Sequence, residues 1–127
     1  MTESEAIVYV IDDDAQTRES LKNLMRSVGL QVEVFASAQD FLRSKRPDVP
    51  ACLVLDVDLP GIGGIAFKRR LAQAGRDRPT IFITALEPED VSGPLAAFAP
   101  IAVLFKPFKN EDLLAALGRA GAWFQAA

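Results

Sequence analysis

Asp12, Asp13, Asp56, Thr84 and Lys106 each stand at, or just past, the carboxyl end of a short hydrophobic run: Ile7–Ile11, Cys52–Leu55, Thr80–Ile83 and Ala102–Phe105. If these runs are parallel buried strands, their ends lie along one sheet edge, where open α/β folds bind ligands. Carboxylates confined there without a cation raise one another's pKa until one keeps its proton. A divalent ion removes that conflict. Oxygen-only donors select a hard ion, and an open site of two or three carboxylates suits Mg²⁺, which keeps waters and recruits phosphate oxygens. The Lys106 ammonium and the Thr84 hydroxyl complete a cradle for the oxygens of a phosphoryl group in transfer. Asp56, ending the central run, is the candidate nucleophile, because carboxylates form acyl phosphates in covalent phosphoryl transfer. One aspartate at a strand end is most often a turn or cap residue, but that explanation weakens when several strand ends carry such groups together.

The intervening segments supply elements that position these ends. Ala15–Val28 carries Leu21, Leu24, Met25 and Val28 at helical spacing, with Gly29 as its stop. Gln31–Phe35 alternates, with Val32 and Val34 on one face, as in a half-covered edge strand. Ser37, with Asp40 three residues on, is placed to cap a helix ending before Pro47. After Cys52–Leu55 the chain turns at Leu59-Pro60-Gly61 into a helix from about Ile65 to Ala74, closed by Gly75 and Pro79. Asn110 is the N-cap candidate for a last helix bearing Leu113, Leu114 and Leu117. Between Glu87 and Pro100, Pro88 suits a first helical turn, but Gly93-Pro94 does not. A proline inside a helix costs about 3 kcal/mol, so a short, broken or displaced fourth helix is expected. Alternating strands and helices imply right-handed crossovers and an α/β fold: a doubly wound, five-stranded parallel sheet in the order 2-1-3-4-5, with helices on both faces. In that order the acidic loop after Ile11 meets Asp56 at the switch point, and Thr84 arrives from the next strand.

With 127 residues, 50% hydrophobic and 24% charged, the chain has the size and balance of one globular domain, taken as 1–127. A net charge of −3 leaves no basic face for a phosphate backbone, so direct nucleic-acid binding by this domain is not expected. No apolar run is long enough to cross a bilayer, and Met1–Ala6 is acidic rather than a basic leader; a cytoplasmic protein with no membrane attachment is expected. The absence of histidine excludes His-based triads, His metal sites and a phosphohistidine on this chain. Cys52, the lone cysteine, reads as a small core side chain.

Four motifs now stand together: Val8-Tyr9-Val10-Ile11-Asp12-Asp13-Asp14, Leu55-Asp56-Val57-Asp58-Leu59-Pro60-Gly61 with Gly64, Ile83-Thr84-Ala85, and Phe105-Lys106-Pro107-Phe108. On these the chain resembles, over nearly its whole length, the phosphoacceptor receiver domain of bacterial two-component response regulators, most closely the FixJ type. The resemblance implies a flavodoxin-like, three-layer α/β/α fold. It implies that Asp56 accepts a phosphoryl group from a sensor histidine kinase or a histidine phosphotransfer protein, forming an aspartyl phosphate. It also implies that Mg²⁺ is bound by Asp13 directly, by Asp12 directly or through water, by Asp56, and by the backbone carbonyl of Asp58. Thr84 would hydrogen-bond the phosphate, Lys106 would pair with it, and the Lys106–Pro107 bond would be cis. Such a domain is a phosphoacceptor able to assist its own phosphorylation and dephosphorylation, not a conventional enzyme. The side chains of Asp14 and Asp58 are expected as electrostatic neighbours or as loop and cap residues.

The resemblance breaks at Val103. Receivers place an aromatic residue three positions before the lysine, and it turns inward as the threonine moves toward the phosphate; valine has no ring and a restricted torsion. Phe105 shares the strand face of Val103 but is expected to be buried core. Together with the interrupted fourth helix, this predicts a receiver that keeps its phosphoryl chemistry and changes its readout surface. Ala122–Ala127 is too short for an output domain: if the natural chain ends here, output is expected through a downstream protein partner, and if it continues, a DNA-binding domain is the expected next unit, with a phosphorylation-dependent dimer left open in either case. Two other functions compete. Asp56-Val57-Asp58 also resembles the motif of haloacid-dehalogenase-type phosphatases, with Asp56 as nucleophile and Asp58 as acid/base, although there the motif opens the fold. The third is a receiver-like docking module that is never phosphorylated, against which stands the complete set Asp12, Asp13, Asp56, Thr84 and Lys106.

Overall fold

A computed structural model describes residues 7–45 and 50–120. Met1–Ala6, Pro47 and Ala122–Ala127 lie outside the described residues. The elements run β1 (Ile7–Ile11), α1 (Ala15–Ser27), β2 (Gln31–Phe35), α2 (Ala38–Arg43), β3 (Ala51–Asp56), α3 (Gly64–Gln73), β4 (Thr80–Thr84), α4 (Pro88–Ala96), β5 (Ala102–Phe105) and α5 (Asn110–Arg119). All strand pairs are parallel, in the order β2-β1-β3-β4-β5.

Strand alternation divides the core into two layers. Tyr9, Ile11, Leu53, Leu55 and Phe82 face one side, where Phe41 of α2, Phe67 and Leu71 of α3, and Val91 and Leu95 of α4 cover them. Val8, Val10, Cys52, Val54, Ile81 and Ile83 face the other, under Leu21 and Met25 of α1 and Leu113 and Leu117 of α5. The three central strands are buried along their length. Both edges are thinner: β2 is half covered, and β5 is partly buried throughout. Phe105 is therefore a partly buried edge residue packed against the first layer, not the enclosed core residue expected.

Helix ends follow local chemistry with three corrections. Ser37 caps α2 as expected, accepting a hydrogen bond from the Asp40 N–H at 3.0 Å. Val28 is 49% exposed, because the helix stops at Ser27 and Gly29 (φ +84°) turns the chain away before valine can reach the core. Asn110 is the first helical residue of α5 rather than its cap; the Lys109 carbonyl begins the helix, with no side-chain cap. The fourth helix is short but neither broken nor displaced. Pro88 occupies the first turn, where its missing N–H costs little, and Val91 and Leu95, one turn apart, are buried. Pro94 lies inside this helix. Proline drives its predecessor out of helical geometry partly by a clash with that residue's Cβ, and Gly93 has none. One backbone hydrogen bond is lost, and burial of Val91 and Leu95 holds the turn in place.

Two predictions follow from this packing. Phe67 is fully buried against the β1–β3–β4 face, so Phe67→Ala is expected to cost about 3–5 kcal/mol in denaturant unfolding. Burial pushes the Cys52 thiol up to about 12, so a disulfide reagent at neutral pH is expected to label it only after denaturant is added.

Candidate functional site

Strand register brings the polar residues to one edge of the sheet. Ile11 pairs with Leu55, so Asp12 and Asp56 are the next residues on neighbouring strands. Asp56 pairs with Ile83, which sets Thr84 one step beyond, and Thr84 pairs with Phe105, immediately before Lys106. The five sequence-predicted residues thus meet at the carboxyl edge of the sheet. Gly64 makes the approach possible: a Cβ there would lie 2.4 Å from the Asp56 carbonyl oxygen and 2.8 Å from Val57 Cα. Only glycine lets α3 start so close behind β3.

Asp12 and Asp56 are buried, whereas Asp13 is exposed. One oxygen from each of the three carboxylates can be chosen so that all lie within 4.8 Å of one another. Lys106 Nζ donates to Asp12 Oδ2 at 2.9 Å and to Asp56 Oδ2 at 3.5 Å. The other oxygens are also held: the Asp14 N–H donates to Asp12 Oδ1 at 2.8 Å, and the Asp58 N–H to Asp56 Oδ1 at 3.0 Å. Burial, reinforced by the neighbouring Asp12 charge, raises the pKa of Asp56 against the lowering effects of the Asp58 N–H and Lys106. For Lys106, burial works against the charge, but Asp12 and then Asp56 outweigh it and the pKa is raised. An all-oxygen donor set, one member of it facing solvent, fits a hard divalent cation.

Thr84 is buried, and its Oγ1 accepts the Leu86 N–H at 3.0 Å, leaving its own proton to donate. Its carbonyl accepts the Lys106 N–H at 2.7 Å, tying the threonine and lysine strand ends together. The Lys106–Pro107 peptide is cis. Asp14 is the N-cap of α1: its Oδ2 accepts the Thr17 N–H at 3.2 Å and the Thr17 hydroxyl at 2.6 Å, which lowers its pKa. The Asp58 side chain is exposed, and its backbone N–H is what touches the site.

Two cations escaped the sequence reading. Arg18 Nη1 donates to the Asp12 carbonyl at 2.9 Å. The signal was available, since Arg18 is three residues before Leu21 and seven before Met25, on the stripe that α1 turns to the core. Lys68 is buried at the opposite sheet edge, donating to Asp77, to the Arg78 carbonyl at 2.9 Å and to Thr80 Oγ1 at 2.7 Å. Those acceptors use all three ammonium protons and tie α3 to the start of β4.

A doubly wound parallel sheet with an acidic, lysine-bridged pocket at its switch point defines a flavodoxin-like α/β domain. Residues 8–118 match the response regulator receiver domain, and the chain belongs to that family. It is 43% identical over 114 residues to Nodulation protein W of Bradyrhizobium diazoefficiens, covering 90% of this chain and 50% of that protein. It is 38% identical over 122 residues to Response regulator protein TmoT of Ectopseudomonas mendocina, covering 94% and 54% respectively. The chain thus spans about half the length of the curated relatives it matches. The low-resolution structure of response regulator StyR superposes with a TM-score of 0.84 at 38% identity, covering 91% of this chain and 59% of that one. Receiver domains are regulatory signalling domains that take a phosphoryl group on aspartate from histidine kinases and generally bind Mg²⁺ at an acidic cluster. Family membership replaces the dehalogenase-type reading of Asp56-Val57-Asp58. No helix among the described residues is long and apolar enough to cross a membrane.

The raised pKa of Asp56 has a definite consequence for stability. Between its ordinary and its raised value, the folded state holds a proton that the unfolded state has released, so stability is lost as pH rises through that window. Asp56→Asn removes this loss. In Mg²⁺-free buffer the variant is expected to melt above the wild type at neutral pH, with the gap closing as pH falls toward the ordinary carboxylate range; thermal unfolding in chelator across pH checks it.

Proposed function

We propose that this chain is the phosphoacceptor of a two-component relay, with Asp56 taking the phosphoryl group from a phosphohistidine on a sensor kinase or a phosphotransfer protein. The observation that carries this reading is the confinement of Asp12, Asp13 and Asp56 beside Lys106, which bridges two of them. The Asp58 N–H holds one oxygen of Asp56, so the carboxylate presents a fixed face to the incoming phosphorus. A carboxylate oxygen attacks in line, the new O–P bond forms as the P–N bond breaks, and the imidazole leaves with the electron pair. Lys106 neutralises one phosphoryl oxygen, and Thr84 donates its hydroxyl proton to another. Mg²⁺, held by Asp12, Asp13, Asp56 and the Asp58 backbone carbonyl, would relieve carboxylate repulsion and balance charge on the transferred group. The same groups would assist attack by water on the acyl phosphate, giving the domain its own dephosphorylation.

The signal is read, on this account, in the cytoplasm by a downstream protein that docks on the face behind Thr84. Val103 pairs with Phe82 at the sheet edge and carries no ring to swing inward. Phe82 instead faces Phe98, beyond α4, at a centroid distance of 6.1 Å. Because α4 is intact, the change in readout rests on Val103 and not on a missing helix. The backbone from Thr84 into α4 would carry the change, without the usual threonine–aromatic coupling.

Acetyl phosphate with Mg²⁺ is expected to add one phosphoryl group by intact mass. Asp56→Asn should abolish the gain and Lys106→Met should slow it by about 100-fold or more. Phosphorylation or a beryllium fluoride mimic is expected to shift amide resonances throughout residues 84–106. Shifts confined to the loops after β1 and β3 would contradict a readout through this face.

A further inference from the structure

We propose that Arg18 is a positioning residue of the metal-and-phosphoryl site, setting where Asp13 stands by locking the Asp12 carbonyl; the inference rests on the reading of this pocket as a Mg²⁺-dependent phosphoacceptor. Every polar group of Asp12 is engaged. Its N–H donates to the Phe35 carbonyl at 3.1 Å, its Oδ1 accepts from the Asp14 N–H, its Oδ2 accepts from Lys106, and its carbonyl accepts from Arg18. Only the last of these ties comes from α1. The same arginine's backbone N–H donates to the Asp14 carbonyl at 3.0 Å, so one residue holds the chain on both sides of Asp13.

The consequence falls on Asp13, the exposed member of the carboxylate trio. Asp12 is buried and crossed by Lys106, while Asp14 is committed to Thr17 as the helix cap. Asp13 sits between them on a peptide whose orientation follows from the Asp12 carbonyl. Loss of the guanidinium would leave that buried carbonyl without its partner and let the Asp12–Asp13 peptide rotate. The acidic oxygens would then no longer be held together at the separation seen here. Outer-shell hydrogen bonds to metal-ligating groups act in this way, and their removal typically weakens metal binding by about 10- to 100-fold. A guanidinium also adds positive charge near the pocket, and charge alone works differently: it opposes cation binding, so its removal would tighten Mg²⁺ affinity. The two effects have opposite signs.

Calorimetric titration of Mg²⁺ into the wild type, Arg18→Gln, Arg18→Met and Lys22→Gln separates them. Arg18→Met keeps the apolar stem and the helix propensity, so it guards against simple loss of α1. Lys22, paired with Glu19 at 3.5 Å, removes a charge from the same helix without touching the loop. Both Arg18 variants are expected to bind Mg²⁺ about 10- to 100-fold more weakly, with Lys22→Gln near the wild type. Acetyl phosphate labelling of the Arg18 variants should recover most of its rate once Mg²⁺ is saturating, because Asp56, Thr84 and Lys106 are intact. Wild-type affinity, or tighter binding, in both Arg18 variants would overturn the proposal, as would equal weakening by Lys22→Gln. Absence of Mg²⁺ binding by the wild type would instead overturn the reading of the pocket on which the proposal rests.

Discussion

A single ammonium group, Lys106 Nζ, bridges a carboxylate 94 positions away in sequence and another 50 positions away, and the acidic pocket depends on it. Two buried carboxylates on adjacent strands repel each other, and burial already disfavours the charge of Asp56. Lysine at the sheet edge offsets part of that cost in the absence of a metal. The fold exists in a form that delivers this contact: β1 and β3 adjacent, β4 next, β5 outermost, all running parallel to one carboxyl edge. A one-residue slip of β5 would turn Lys106 to the opposite face of the sheet.

The pocket is thereby an over-determined assembly on a scaffold of ordinary parts. Both Asp12 oxygens and both Asp56 oxygens have donors, and the backbone of each neighbouring loop supplies one of them. Donors of this kind hold the two carboxylates in fixed orientations, so the acidic oxygens need little reorganisation to receive a cation. Thr84 is different: its hydroxyl accepts the Leu86 N–H at the start of the next loop and keeps its proton free to donate to a phosphate oxygen.

Much of this was legible in the sequence because strand runs ended in residues with chemistry. β1, β2 and β5 have the bounds read from hydrophobic runs, β4 extends one residue further, into Thr84, and β3 extends one residue at each end, to Ala51 and Asp56. At the fourth helix, tertiary packing overrules a local signal. Gly93-Pro94 stays helical because Val91 and Leu95 are held in the core and glycine relieves the proline clash. Asn110 enters α5 although its type favours the cap position, and Phe105 is less enclosed because β5 has no strand beyond it. Arg18 carries no motif of its own, although its place on the Leu21–Met25 stripe marks it as turned inward. The Lys68 network spans α3, the following loop and β4, and no local pattern announces such a contact.

The decisive property of the pocket is which side chain carries the phosphoryl group. Borohydride reduces an acyl phosphate to the alcohol, so an aspartyl phosphate becomes homoserine at that position. After acetyl phosphate and Mg²⁺, reduction followed by peptide sequencing in the mass spectrometer is predicted to find homoserine at position 56 and nowhere else. Homoserine at Asp12, Asp13 or Asp58, or none under conditions where Mg²⁺ is bound, would contradict it.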